Sequence, residues 1–205
     1  MNTAIKFDVS DVSFQSCRDV ENQLRRVPLL LHPDQYPYAR ATIAWTLLEP
    51  DEVWPASLYV LDDHLATLRQ LQRALNVLGV DILNLDGGVS YRVDDIQHRI
   101  LPPIVEESSV DDFKLLILDG RHRIYRAREK GCLIRCIVLR GVNPEYPIPS
   151  FPNPNGWQDV QLVDEIPPHN QKKMYRSSGV VDGRLGMDTR RNLATLGIGG
   201  GIPRS

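Results

Sequence analysis

Five consecutive residues, Asp119-Gly120-Arg121-His122-Arg123, form the densest concentration of chemical groups in the chain. They join an apolar run, FKLLILDG (113–120), to RHRIYRAREKG (121–131), which has the pattern of a short helix ended by Gly131. The first N–H groups of a helix have no partner inside it, and the aligned peptide dipoles add partial positive charge there. A helix start of this kind attracts anions. Gly120 has no Cβ, so an anionic ligand can come close to the main chain. Arg121, His122 and Arg123 add up to three cationic donors around the same point, and the guanidinium fork suits phosphate or carboxylate. Basic residues in a first helical turn run against the usual preference for acidic ones, and a local rule broken in this way often marks function. The plainer reading, in which Asp119 is an N-cap and the Arg/His cluster a solvated face, stays open at this point.

The elements that must position this turn are legible around it. LPPIVEE (101–107) reads as a strand with its prolines at the start, where a missing N–H is tolerated. The nearly continuous apolar run at 113–120 reads as a buried strand. LIRCIVLRG (133–141) reads as a further strand. The order strand, strand, helix, strand predicts an α+β or mixed α/β fold. In the helix, Ile124 and Ala127 should face the core, while Arg126, Arg128 and Lys130 face water or an anionic partner.

Upstream, SCRDVENQLRR (16–26) predicts a short amphipathic helix through Val20 and Leu24, and ATIAWTLL (41–48) a strand. Trp45 and Trp54 read as core anchors. DDHLATLRQLQRALNVLG (62–79) predicts the longest helix, with Leu65, Leu68, Leu71, Leu75 and Leu78 at spacings of three and four and Gly79 at the C′ position. DILNLDGGVSYRV (81–93) predicts a hairpin turning at Asp86-Gly87-Gly88. Downstream the composition changes. NPEYPIPSFPNPNGW (143–157) holds five prolines in 15 residues, too many for regular helix or central strand. Residues 144–170 are expected to lie extended over the domain, and 171–205 to be a mobile or partner-ordered tail. MDTRRNLATLG (187–197) predicts one short helix. The implied division is a lead-in at 1–40, a domain at 41–143 and a Pro/Gly-rich extension at 144–205.

The composition excludes several classes. The 205 residues are 42% hydrophobic and 24% charged, ordinary globular usage that argues against wholesale disorder. A net charge of -2 excludes a strongly basic coat protein but leaves room for a local basic patch. No apolar run reaches the length of about 20 residues that a bilayer span needs. The N-terminus has no apolar core of the secretory kind, which places the protein in the cytoplasm. Cys17, Cys132 and Cys136 read as small buried hydrophobes, because no further ligand stands at metal spacing. His32, His64, His98 and His169 are scattered and read as surface or capping residues.

The block LPPIVEESSVDDFKLLILDGRHRIYRAREKGCLIRCIVLRG (101–141) resembles the conserved block of the ParB/sulfiredoxin superfamily. Both show a PPI strand, a strand ending in a D-G-x-H-R or G-x-R-R turn, an Ala-containing helix ended by Gly, and a last strand. A looser likeness begins at WTLLEPDEVWP (45–55). The resemblance implies an α+β, ParB/sulfiredoxin-like small mixed sheet with flanking helices, built around a nucleotide-phosphate cradle. Sulfiredoxins carry a Cys where Arg121 stands, so sulfinic acid repair is not implied. Chromosome-partition ParB proteins bind CTP and DNA and carry a helix-turn-helix domain after this block, where this chain has a Pro/Gly-rich tail. Free-serine kinases carry D-G-H-H-R, which differs from this turn only at Arg121.

From that branch the resemblance implies a set of roles. Gly120, Arg121, His122 and Arg123 would hold the phosphates of ATP or ADP, with CTP as another candidate. Asp119 would bind magnesium. His122 would contact a phosphate or move a proton. Glu52, in Pro50-Asp51-Glu52, would accept the proton of the attacking hydroxyl, with Glu49 as a competitor. The expected activity is phosphoryl transfer to a small hydroxyl-bearing metabolite such as free serine. The alternative is a ParB-like DNA-binding protein or nuclease, which draws on Arg121, Arg123, Arg126, Arg128 and Lys130. A third reading is a silent adaptor docking through residues 144–154.

Overall fold

A computed structural model describes residues 8–167, 172–176 and 189–198. In chain order the elements are β1 (Val9–Gln15), α1 (Cys17–Leu24), β2 (Thr42–Leu48), β3 (Val53–Trp54), β4 (Tyr59–Leu61) and α2 (Asp62–Val77). They continue with β5 (Gly88–Val93), β6 (Ile96–Ile100), β7 (Ile104–Ser108), β8 (Lys114–Asp119), α3 (Arg121–Lys130), β9 (Ile134–Arg140) and β10 (Gln161–Val163).

The main sheet has five strands in the order β2-β9-β7-β8-β3. β7 lies at its centre, parallel to β9 and antiparallel to β8. The fold is thus α+β with a small mixed sheet and flanking helices. β9 carries apolar residues on both faces because both faces are covered. Ile134, Cys136 and Val138 join one core with the leucines of α2 and with Ile124 and Ala127 of α3. Ile137 and Leu139 point the other way, into a second core with Val20 and Leu24 of α1, Tyr38 and Leu196. The two cores bring α3 against one face of the sheet and fix where its N-terminus emerges.

The helices form where the apolar spacing places them. Ser16 caps α1 by accepting the Asp19 N–H at 3.2 Å. In α2 the buried stripe is Leu65, Leu68, Leu71 and Leu75; Leu78 lies beyond the last helical residue and is exposed. Gly79 follows with φ 77°. Trp45 and Trp54 are half-buried: Trp45 Nε1 donates to Glu21 Oε1 at 2.8 Å, and Lys114 lies over the Trp54 ring.

Three expectations are corrected. The hairpin does not turn at Asp86-Gly87-Gly88. It joins β5 to β6 through Asp94 and Asp95, with Val93 opposite Ile96. Both aspartates have positive φ (48° and 63°), as a tight two-residue hairpin turn requires, and short polar side chains reach that region at low cost. Gly87 instead lets the chain pass the backbone of Gln15, where a Cβ would come within 2.1 Å of the carbonyl oxygen.

The second correction concerns the C-terminal part. Residues 189–198 are built into the fold rather than a mobile tail. Arg191 forks onto Glu106 (Nη2–Oε1 2.6 Å, Nε–Oε2 3.1 Å), and Tyr38 donates to Glu106 Oε2 at 2.8 Å. Leu193–Leu196 form one short 3-10 turn within the segment expected to be helical; residues 187 and 188 lie outside the described residues, as does His169.

The third concerns residues 144–154, read as a recognition segment for a partner. Part of this stretch is packed into the domain. Ile148, Ser150 and Asn153 are buried, and Asn153 donates to the Ser57 carbonyl at 2.9 Å. Beyond them Trp157 Nε1 donates to the Pro50 carbonyl at 2.9 Å, and β10 pairs in parallel with β4. The extended path over the domain is as the prolines require. No helix among the described residues is long and apolar enough to cross a membrane.

Candidate functional site

The turn between β8 and α3 opens into a cleft of about 890 Å³. Asp119 ends β8 opposite Ile104 of the central strand. Gly120 is the N-cap of α3 with φ 83° and ψ 18°, a left-handed conformation that glycine adopts without penalty. Space demands glycine as well: a Cβ there would lie 2.7 Å from Pro103 Cβ and 2.9 Å from Arg123 Nη2. Asp119 makes no capping hydrogen bond to the helix, so the N-cap reading of this residue fails. Of the first amides of α3, that of Arg123 donates to the Gly120 carbonyl at 2.9 Å, which leaves those of Arg121 and His122 as the orphan donors of the helix start.

The three basic residues of the motif have different roles. Arg123 is buried. Its guanidinium donates to the Leu101 carbonyl and, at 3.2 Å, to Asp119 Oδ2. It ties α3 to the strand ends on both sides of the turn. Arg121 lines the cleft and donates to the Ser57 hydroxyl. Burial lowers its pKa from the ordinary arginine value, and the Tyr59 and Asp119 sites pull the other way.

His122 is not a third cation. Burial pushes its pKa down to about 3, with the charges of Arg121, the neighbouring His64, Lys172 and Arg123 adding to the effect. The ring is therefore neutral near pH 7, and its buried Nε2 has no hydrogen-bond partner among the described residues. It faces His64 of α2, ring centroids 5.1 Å apart. His64 thus belongs to the cleft rather than to the outer surface.

Glu52 is not brought to this place. It is exposed, absent from the cleft lining, and occupied as a reciprocal cap: its Oε2 accepts the Glu49 N–H at 2.8 Å. The preceding Asp51 pairs with Arg128 at 2.6 Å. Arg128 lies seven residues, roughly 10 Å of helix rise, beyond Arg121. The Pro50–Glu52 turn therefore packs beside the later turns of α3, away from its N-terminus. The carboxylates that do line the cleft are Asp63, Asp119, Asp164 and Glu165.

The chain supplies further cleft residues that no local pattern announced. Lys172 and Lys173 come from the segment 172–176, which is fastened to the domain. Leu58 N–H donates to the Lys172 carbonyl at 3.0 Å and Phe151 N–H to the Met174 carbonyl at 2.8 Å. Arg176 pairs with Asp111 and covers the Phe151 ring. Arg99 of β6 lines the far side and donates to Gln15, Gln23 and the Leu196 carbonyl. Two lysines after a Pro-rich stretch look like any solvated pair in sequence; the backbone bonds of their segment to Leu58 and Phe151 place them at the cleft.

A metal site built by protein alone is absent: no group of three or more His, Cys, Asp or Glu side chains converges among the described residues. Cys17, Cys132 and Cys136 are free, and only Cys136 is fully buried.

The small mixed sheet thus carries a glycine-capped helix start beside a cleft lined by both basic and acidic side chains. The chain matches the family model of the ParB CE domain over residues 19–161 and belongs to that family. No curated protein matches it, and no solved structure does. The matched span includes the whole Asp119–Arg123 turn and stops before Lys172.

Proposed function

We propose that the chain binds a nucleotide by its phosphates at the start of α3 and transfers a phosphoryl group to a small hydroxyl compound such as free serine. The observation that carries this reading is the Gly120 bend opening, with Arg121 and the free-ended helix, into a cleft of about 890 Å³. That volume lies in the range of small-molecule and cofactor sites. Helix N-terminal amides and a guanidinium aimed at one point are what a transferring phosphoryl group needs as its charge redistributes.

In the transfer, the substrate hydroxyl oxygen forms a bond to the terminal phosphorus, the bridging P–O bond to the nucleotide breaks, and the hydroxyl proton leaves. His122 is the proton acceptor, since Glu52 lies elsewhere and His122 offers a neutral ring with an unpartnered nitrogen. A bound polyanion offsets the contribution of the neighbouring cations and so moves its basicity upward, while burial, the larger cause, remains. Asp119 offers one carboxylate, already in contact with Arg123 through Oδ2. Magnesium suits such a site, because it takes one or two carboxylates together with substrate phosphates; bound there it would neutralise phosphate charge.

The alternative, a ParB-like nucleic-acid-binding protein or nuclease, has the coarse support of the family match. It needs the basic face of α3 to be available. Arg126 pairs with Glu129 at 3.2 Å, Arg128 with Asp51 at 2.6 Å, and Arg123 is buried against Asp119. Only Arg121 and Lys130 are left without an ion pair among the described residues, too few for a phosphate-tracking stripe.

The test is to incubate the full chain with ATP or ADP, magnesium and free serine, and to look for phosphoserine by ³¹P NMR. Phosphoserine formation that disappears in His122→Ala is the expected result. Nucleotide binding without transfer to serine or to any of a panel of hydroxyl metabolites would reduce the reading to a binding module.

A further inference from the structure

We propose that Lys172 and Lys173 form a second anion subsite in the same cleft, so that the ligand held there is a polyphosphate chain and not a single phosphate group. The inference rests on the nucleotide reading above and goes beyond it in naming the extended ligand and the residues that select it. Both lysines lie outside the span shared with the ParB CE family, so the subsite belongs to this chain's own C-terminal segment.

The geometry has three parts. The segment carrying the lysines is fixed, through the backbone bonds to Leu58 and Phe151 and the Arg176–Asp111 pair. Both lysines line the cleft together with Arg121 and Gly120. Neither ammonium has a carboxylate within ion-pairing distance among the described residues, although Asp63, Asp119, Asp164 and Glu165 line the same cleft.

Gathering Lys172, Lys173 and Arg121 without such a partner is unfavourable by itself. Burial and the charges of Lys172 and Arg121 push the Lys173 pKa down to about 8, with Asp119 acting in the opposite sense. Burial and Arg121 likewise lower that of Lys172. A crowded set of cations in a cleft is relieved by a ligand with several negative charges along its length. A lone phosphate at the helix start satisfies Arg121 and leaves the two lysines without a counter-charge. A di- or triphosphate chain reaches both groups.

The experiment is calorimetric titration of the full chain with inorganic phosphate, pyrophosphate and tripolyphosphate. The proteins compared are the wild type, Lys172→Ala/Lys173→Ala, Lys172→Arg/Lys173→Arg and Arg121→Ala. Affinity in the wild type should rise with chain length. The double alanine variant should lose about 10- to 100-fold in tripolyphosphate affinity, the range for losing charged hydrogen bonds, while phosphate affinity stays within about twofold. The double arginine variant should recover most of the loss. Removing mutually repelling charges should leave the melting temperature of the double alanine variant unchanged or higher, which separates the effect from unfolding. Tripolyphosphate affinity unchanged in the double alanine variant, or a parallel loss for phosphate, overturns the second subsite. If Arg121→Ala abolishes binding while the lysine variants bind normally, the nucleotide reading survives and this inference alone falls. If the wild type binds none of the three anions, both fall.

Discussion

The buried guanidinium of Arg123 is packed against Gly120, so that a Cβ on the glycine would approach Arg123 Nη2 to 2.9 Å. The same guanidinium donates to the Leu101 carbonyl and to Asp119. One arginine therefore braces the bend, while Gly120, Arg121 and His122 line the cleft. Gly120→Ala should cost about 2 kcal/mol or more, from the left-handed backbone and the contact with Pro103, and should abolish anion binding. Urea denaturation checks the first part. A loss under about 0.5 kcal/mol would mean that the bend tolerates a side chain.

The Arg191–Glu106 fork fastens the C-terminal segment to the central strand, with the two side chains 2% and 3% exposed. Removing one partner leaves the other charge buried alone. Arg191→Ala should destabilise the chain by about 3–5 kcal/mol. Because Leu196 and Ile198 follow in the same segment, it should also expose the second core to a hydrophobic dye. Denaturant midpoints within error of the wild type would show that the segment is not held by this pair.

His122 gives a pH dependence with a definite sign. Its pKa is about 3 in the folded chain against an ordinary 6.5. Between these values the unfolded chain binds the proton and the folded chain does not, so stability falls as pH drops below about 6.5. His122→Gln should therefore lose stability less steeply than the wild type between pH 7 and 5, measured by thermal unfolding. Parallel curves would contradict a neutral, buried His122.

Lys173 gives a second pH dependence, on binding. The groups around it are Lys172, Arg121 and Asp119, with Asp63, His64, His122, Asp164 and Glu165 lining the same cleft. A bound polyphosphate favours the charged ammonium, whose pKa without ligand is about 8. Raising the pH through 8 should then weaken tripolyphosphate binding, by about tenfold at pH 9 relative to pH 7. Lys173→Arg, which keeps its charge, should flatten the profile. A wild-type affinity constant from pH 7 to 9 would exclude Lys173 from the site.

The strands and helices at 101–141 are legible in the sequence because each is short, strongly patterned and stopped by Gly or Pro. The Gly120 bend is legible for the same reason. β1 is not. Its burial runs with a period of three because the ladder to β5 shifts register between Ser10 and Ser13, and Asp11 has positive φ. β6, with IQHRI, looks polar because only its last residue is buried.

The C-terminal contacts have no local signature at all. Arg191 finds Glu106 across 85 positions, and Lys172 and Lys173 reach the cleft through backbone bonds of their segment to the distant Leu58 and Phe151. Glu52 is the opposite case: its local pattern is strong, and that pattern is a reciprocal cap, satisfied within four residues.

Isothermal titration of the full chain with ATP, ADP and CTP in magnesium, repeated with Arg121→Ala, bears most directly on the Gly120–Arg121 cradle. At least one nucleotide should bind the wild type at micromolar or tighter concentration and bind Arg121→Ala at least about tenfold more weakly, the scale of one lost charged contact. A wild-type chain that is folded and binds none of the three, or binds them equally well without Arg121, would contradict a phosphate site at the start of α3.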